Sequence, residues 1–138
     1  MSSFNIFDIA GSAVSAQTVR INTVASNIAN ADTVSNTREG VYKARMPVFE
    51  TVRKGLRGDE SGAAVRVARV VESNTPPNAR YEPSNPLADV NGFVYSPDIS
   101  AVEQITDMVS ASRSYQNNIE VMRTARELML ATLRLGQQ

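Results

Sequence analysis

The chain has 138 residues, a length that suits one domain or two long terminal helices bracketing a small insert. Lysine plus arginine and aspartate plus glutamate number 14 each, so the formal net charge is zero and no basic block argues for general nucleic-acid binding. Cysteine and histidine are both absent. Their absence removes disulfides, thiolate chemistry, most zinc and copper sites, Ser-His-Asp catalysis and the commonest general base at neutral pH. Neither an enzyme nor a cofactor, a metal or a small-molecule substrate is expected.

The opening run Met1-Ser2-Ser3-Phe4-Asn5-Ile6-Phe7-Asp8 lacks the basic n-region and continuous apolar h-region of a cleaved secretory signal. No stretch approaches the roughly 18 to 20 apolar residues of a membrane span. A protein soluble when made is the expectation, with export by a dedicated machine left open.

From Phe7 to about Ala31 a heptad-like series (Phe7, Ala10, Val14, Gln17, Ile21, Val24, Ile28, Ala31) predicts a long helix, about 37 Å if continuous. Its charges are Asp8 and Arg20; Ser12, Ser15, Thr18, Asn22, Thr23, Ser26, Asn27 and Asn30 stand where a surface helix carries charge. Neutral polar groups can be buried if hydrogen-bonded, at far lower cost than charges. The expectation is a helix packed on several sides, by other subunits in preference to a single internal core. Gly11 marks either a bend or close approach, or is a tolerated helix glycine.

Asp32 to Gly40 reads as a loop, and Val41 to Val52 as a strand broken or held at an edge by Pro47. Lys54 to Gly62 reads as a mobile turn, and the Val-rich Ala63 to Glu72 is the best strand signal. Four prolines between Ser73 and Pro86 favour an extended arm, after which Asp89-Val90-Asn91-Gly92 turns into a short strand, Phe93 to Tyr95. Arg66, Arg69 and Arg80 read as solvated strand-face charges rather than partner contacts.

The last segment, Asp98 to Leu135, carries small or apolar residues at Ala101, Ile105, Met108, Ser112, Tyr115, Ile119, Met122, Met129 and Leu133, a four-three alternation interrupted at Arg126. A second set (Val102, Val109, Val121, Ala125, Leu128, Thr132, Leu135) makes the face too wide for one neighbour. Ser100 and Glu103 have capping-box spacing, Arg123 with Glu127 has ion-pair spacing, and Gly136 supplies a stop. The expected fold is therefore mainly α with a small β insert. The N- and C-terminal helices pair as a coiled-coil-like unit over residues 1–33 and 98–138, with a β-rich insert and Pro-rich arm over 34–97. Exposed apolar area on such a pair marks an interface, and a head-to-tail interface that does not close gives a helical filament. A discrete adaptor whose heptads bind a partner helix is the alternative. A carboxylate enzyme is less favoured, because Glu103 and Asp107 share a helix face but read as solvated acids.

Ala25-Ser26-Asn27-Ile28-Ala29-Asn30-Ala31-Asp32-Thr33 resembles the N-terminal signature of the bacterial flagellar basal-body rod and hook protein family, and Ser110 to Val121 resembles its C-terminal one. The opening Phe4 to Ser12, the arm Tyr81 to Asp89 and the tail Leu130 to Leu133 are similar to the proximal-rod branch, as is the insertion Val34 to Glu39 before Gly40-Val41-Tyr42. Asn117, Arg123 and Arg126 depart from the family's usual residues. The resemblance implies a structural subunit of the periplasmic rod, exported through the flagellar type III apparatus without a cleaved signal. It would polymerise with itself and other rod proteins into a drive shaft around the export channel, leaving open whether the insert touches the basal-body ring. It implies subunit contacts through Val14, Ile21, Val24, Ile28, Ile105, Met108, Ile119, Met122, Met129 and Leu133. Hydrogen bonds across subunits would come from Ser26, Asn27 and Asn30, register from Arg113, Tyr115 and Gln116, and an acidic or carbonyl partner for Arg126.

Overall fold

The computed structural model describes residues 3–53 and 63–136, in the order α1 (Ser3–Asn30), β1 (Arg45–Arg53), β2 (Ala63–Glu72), β3 (Asn78–Tyr81), β4 (Phe93–Ser96) and α2 (Ala101–Leu135). This is the mainly α arrangement with a small β insert. The turn expected at Lys54 to Gly62 lies outside the described residues.

α1 runs unbroken for 28 residues and α2 for 35. The start of α2 follows its sequence signal: Ser100 is the N-cap, with extended φ and ψ of −81° and 108°, and its side chain accepts from the Glu103 N–H. That bond satisfies one of the donors a helix start leaves open. Gly136 closes the helix in an αR conformation, its N–H donating to Thr132 O at 3.1 Å, so the stop does not use a left-handed glycine.

α1 packs along α2 on one side and beneath the β1–β2 hairpin on another. The helices run antiparallel, since Arg20 meets Asp107 while Asn27, further along α1, meets the earlier Gln104. The hairpin is fastened to α1 at Ser12, whose hydroxyl donates to Ile9 O at 2.7 Å and accepts from Val65 N at 3.1 Å. Two neighbours within the same chain thus account for much of α1's low charge. That is a different cause from the expected cover by other subunits.

β1 and β2 are antiparallel, with a register shift between Val48 and Phe49, one residue past Pro47. Proline has no N–H for the ladder, and a two-stranded sheet with a bulge accommodates it. The arm holds a strand that its prolines did not suggest. β3 pairs antiparallel with β4, Tyr81 opposite Phe93, because Pro76, Pro77 and Pro83 flank Asn78–Tyr81 without entering it. Gly92, at φ 80°, makes the turn that a side chain would strain. On its other side β4 bridges Ser35 through two reciprocal Ser35–Tyr95 backbone bonds of 2.8 and 2.9 Å. The β3–β4 pair packs on neither helix nor on the hairpin; β4 is held instead against the loop after α1, with Val94 fully buried.

Candidate assembly surface

The apolar residues buried most completely are small: Ala10, Ala16, Ala31, Ala111 and Ala125, with Val24, Val41 and Val94. Alanines on the facing sides let the two helices approach closely but bury little apolar area each. The chain accordingly exposes 9892 Å². A compact monomer of 15.0 kDa exposes about 7,000 Å². An excess of that size is more than a standard protein interface buries.

The centre of the intramolecular packing is Asn27, 1% exposed. Its Nδ2 donates to Arg45 O and to Gln104 Oε1, both at 2.9 Å. Its Oδ1 accepts from Arg45 N at 2.9 Å and from the Tyr42 hydroxyl at 3.1 Å. One amide therefore joins α1, the start of β1 and α2, with its hydrogen-bonding capacity filled inside the chain. Ser26 and Asn30 bond carbonyls of their own helix, Asn22 O and Ser26 O. Arg20 reaches across the helix pair to both carboxylate oxygens of Asp107. Among buried side-chain atoms of the described residues, Gln17 Oε1 lacks a partner.

Along α2 two stripes with the same four-three alternation lie side by side. Gln104, Met108, Ala111, Tyr115, Asn118, Met122, Ala125 and Met129 are buried or half-buried. One position further round, Ile105, Val109, Ser112, Gln116, Ile119, Arg123, Arg126, Leu130 and Leu133 follow the same spacing and are exposed except for the half-buried Ser112, Ile105 by 52% and Leu133 by 63%. The seam expected from sequence straddled both: Met108, Tyr115, Met122 and Met129 belong to the covered stripe, while Ile105, Ile119, Arg126 and Leu133 belong to the open one. On α1, Val24 is buried and Val14, Ile21 and Ile28 are half-buried. Ser15, Thr18, Asn22, Ala25 and Ala29 form an open, uncharged stripe beside them. Arg113 and Gln116 are exposed, and neither Arg113 nor Arg126 has an ion-pair partner among the described residues.

Sequence reasoning missed Gln104 and Ala111, placed Ala125 only in the second apolar set, and read Asp107 as a solvated acid, whereas it pairs with Arg20. The available signal was the second four-three series, starting at Gln104, and the presence of a lone arginine midway along α1. Arg66 and Arg80 are exposed as expected, but each meets a carboxylate of its own chain, Glu50 and Glu82.

The arm is ordered from within by Asp89. Its Oδ1 accepts from Asn91 N at 2.8 Å and Phe93 N at 2.9 Å, and its Oδ2 from the Tyr95 hydroxyl at 3.1 Å. The Phe93 N–H, against the opposing effect of partial burial and with help from Asn91 and Tyr95, holds this carboxyl below its ordinary value. Tyr81 and Phe93 meet edge to face at 5.3 Å, yet Tyr81, Leu87, Val90 and Phe93 all remain exposed, Val90 fully. Among the described residues there is no cluster of three or more potential metal-ligating acids, and no helix is long and apolar enough to cross a membrane.

Helices whose free faces repeat at heptad spacing, and a surface this large for the mass, define a structural assembly subunit. Two family models match at the two ends: residues 7–35 fit the flagella basal body rod protein family, and residues 90–135 fit the flagellar basal body rod FlgEFG protein C-terminal family. The flagellar basal-body rod protein FlgC of Salmonella typhimurium (strain LT2) is 49% identical over 137 residues, 99% of this chain and all of that one. The FlgC protein of Escherichia coli O6:H1 is 47% identical over the same shares, and that of Bacillus subtilis 27% identical over 150 aligned residues, again 99% of this chain and all of the other. The chain belongs to the flagellar basal-body rod protein family and is FlgC-like within it. It is a structural rod subunit of the bacterial flagellum, and that family is not an enzyme class.

Proposed function

We propose that the chain polymerises helically, with itself and with other rod proteins, into the proximal part of the rod, forming the drive shaft and the wall of its export channel. Residues 1–33 and 98–138 act as the assembly segments and residues 34–97 as the insert carried outside them. The observation that carries this reading is the open stripe on α2, a run of large apolar and arginine side chains at heptad spacing beside the stripe that α1 covers. The helix pair behaves as a coiled-coil-like unit whose second seam waits for a neighbour. Ile105, Arg113, Gln116, Ile119, Arg126 and Leu133 make the outward subunit contacts. Val14, Ile21, Ile28, Met108, Tyr115, Met122 and Met129 contribute their half-exposed edges. Val24 and Asn27, and the helix-bonded Ser26 and Asn30, act by fixing the helix that presents them.

The subunit reaches the periplasm through the flagellar type III apparatus, and its insert faces the surrounding ring. Negative-stain electron microscopy at rising concentration, with rod partners present, tests the reading. Filaments or rod-like polymers are expected; a stably discrete species under those conditions, as an adaptor would give, overturns it.

A further inference from the structure

An asparagine side chain carries an amide that its own backbone can attack. When the N–H of the next residue loses its proton, that nitrogen adds to the asparagine Cγ, closes a five-membered succinimide and expels ammonia. Water then opens the ring to aspartate or to isoaspartate, whose backbone is one methylene longer. A Cβ on the attacking residue hinders the approach, so glycine is the most reactive successor. Of the chain's eleven asparagines, Asn91 alone is followed by glycine, and it is exposed, in the tight turn that leads into β4.

The same turn restrains the reaction. The Gly92 N–H, the group that would attack, donates to Asp89 O at 3.0 Å. Asp89 Oδ1 accepts from Asn91 N at 2.8 Å and from Phe93 N at 2.9 Å, which fixes the backbone on both sides of the Asn91–Gly92 peptide. Gly92 O is held in turn by the Glu82 N–H at 2.9 Å. Freeing the Gly92 nitrogen and rotating it toward Cγ breaks this set. The Asp89 carboxylate, negative at neutral pH, also opposes the charge that the deprotonated nitrogen carries.

We propose that Asn91 is a self-modification site, where spontaneous deamidation is held back by the Asp89 turn while the arm is folded and proceeds once that turn opens. The change is one-way. An acid at position 91 stands two residues from Asp89 with the same charge, and isoaspartate lengthens the backbone just before the register that sets Tyr81 opposite Phe93. Its first effect falls on the arm, because the β3–β4 pair packs on neither helix.

The test incubates the full-length chain at mildly alkaline pH in buffer and in urea, follows each asparagine by peptide mass mapping and counts isoaspartate by enzymatic methylation. In urea Asn91 should react ahead of the other asparagines, and in buffer about tenfold more slowly than in urea. Asp89→Ala, with helix content unchanged by circular dichroism, should raise the buffer rate toward the urea rate, whereas Asp89→Asn, which keeps an acceptor oxygen, should stay near the parent. Equal parent rates in buffer and urea, or an Asp89→Ala chain as slow as the parent in buffer, overturn the restraint. Another asparagine reacting ahead of Asn91 in urea overturns the site.

Discussion

Replacing Asn27 with alanine removes an amide that makes four hydrogen bonds, to the backbone N–H and C=O of Arg45, to Gln104 Oε1 and to the Tyr42 hydroxyl. Each group left unsatisfied costs about 1–3 kcal/mol if it stays dry. Arg45 is exposed, and Tyr42 and Gln104 are half-buried, so water can reach part of this set once the amide is gone. The loss is therefore well below four full penalties, and about 2–4 kcal/mol is expected for Asn27→Ala. In a chain of 138 residues that corresponds to a fall in melting temperature on the order of 10 °C. Circular dichroism at 222 nm during heating, paired with urea unfolding, reads both quantities. A melting temperature within about 2 °C of the parent would show that the amide does not hold α1, β1 and α2 together, and that the intramolecular role assigned to it is wrong.

Three further outcomes follow from single positions. Gly11 has nothing within 4 Å of the position a Cβ would take, so Gly11→Ala should stabilise the isolated chain by about 0.5–1 kcal/mol in urea unfolding; destabilisation would reveal a close approach inside the fold. At Gly92 the same change meets positive φ and places Cβ 2.8 Å from Tyr81 Cε2, so the Glu82 amide, which bonds Gly92 O, should exchange with solvent about tenfold faster; unchanged exchange contradicts the strain. Asp89 has a folded-state pKa below its ordinary 3.8, so its ordering of the arm is present above that value and is lost as pH falls through the folded one. Protection of the Asn91 and Phe93 amides should decline over that acid window in the parent, whereas an Asp89→Asn chain should lack the transition.

Long apolar periodicity and cap chemistry made the helices legible: a Ser-x-x-Glu start at Ser100 and a glycine at 136 fix α2 from local sequence alone. The Val-rich β2 and the Pro47-disrupted β1 were equally local. The phase of the α2 seam was harder to read. Two four-three series run one residue apart, and the one that meets α1 is the less apolar, with Gln104, Ala111, Asn118 and Ala125 in place of Ile105, Ser112, Ile119 and Arg126. Close approach to α1 selects small and hydrogen-bonding residues there, and that preference depends on a helix about 80 residues away in the chain. Asn27 was visible as a polar residue that burial would have to satisfy, but its partners are Tyr42, Arg45 and Gln104, and no spacing rule connects those positions. The β3 strand hid among prolines for a similar reason, since its pairing with β4 is decided by the Gly92 turn.

The central claim is that the open stripe of α2 exists to be covered by other subunits. Its most direct test is a helical reconstruction of the rod, or of a polymer of this chain, at a resolution that places side chains. Ile105, Ile119, Arg126 and Leu133 should be buried against neighbouring subunits while Met108, Ala111, Met122 and Ala125 remain against α1 of the same chain. A polymer in which that stripe faces water, with the contacts made elsewhere, would contradict the account.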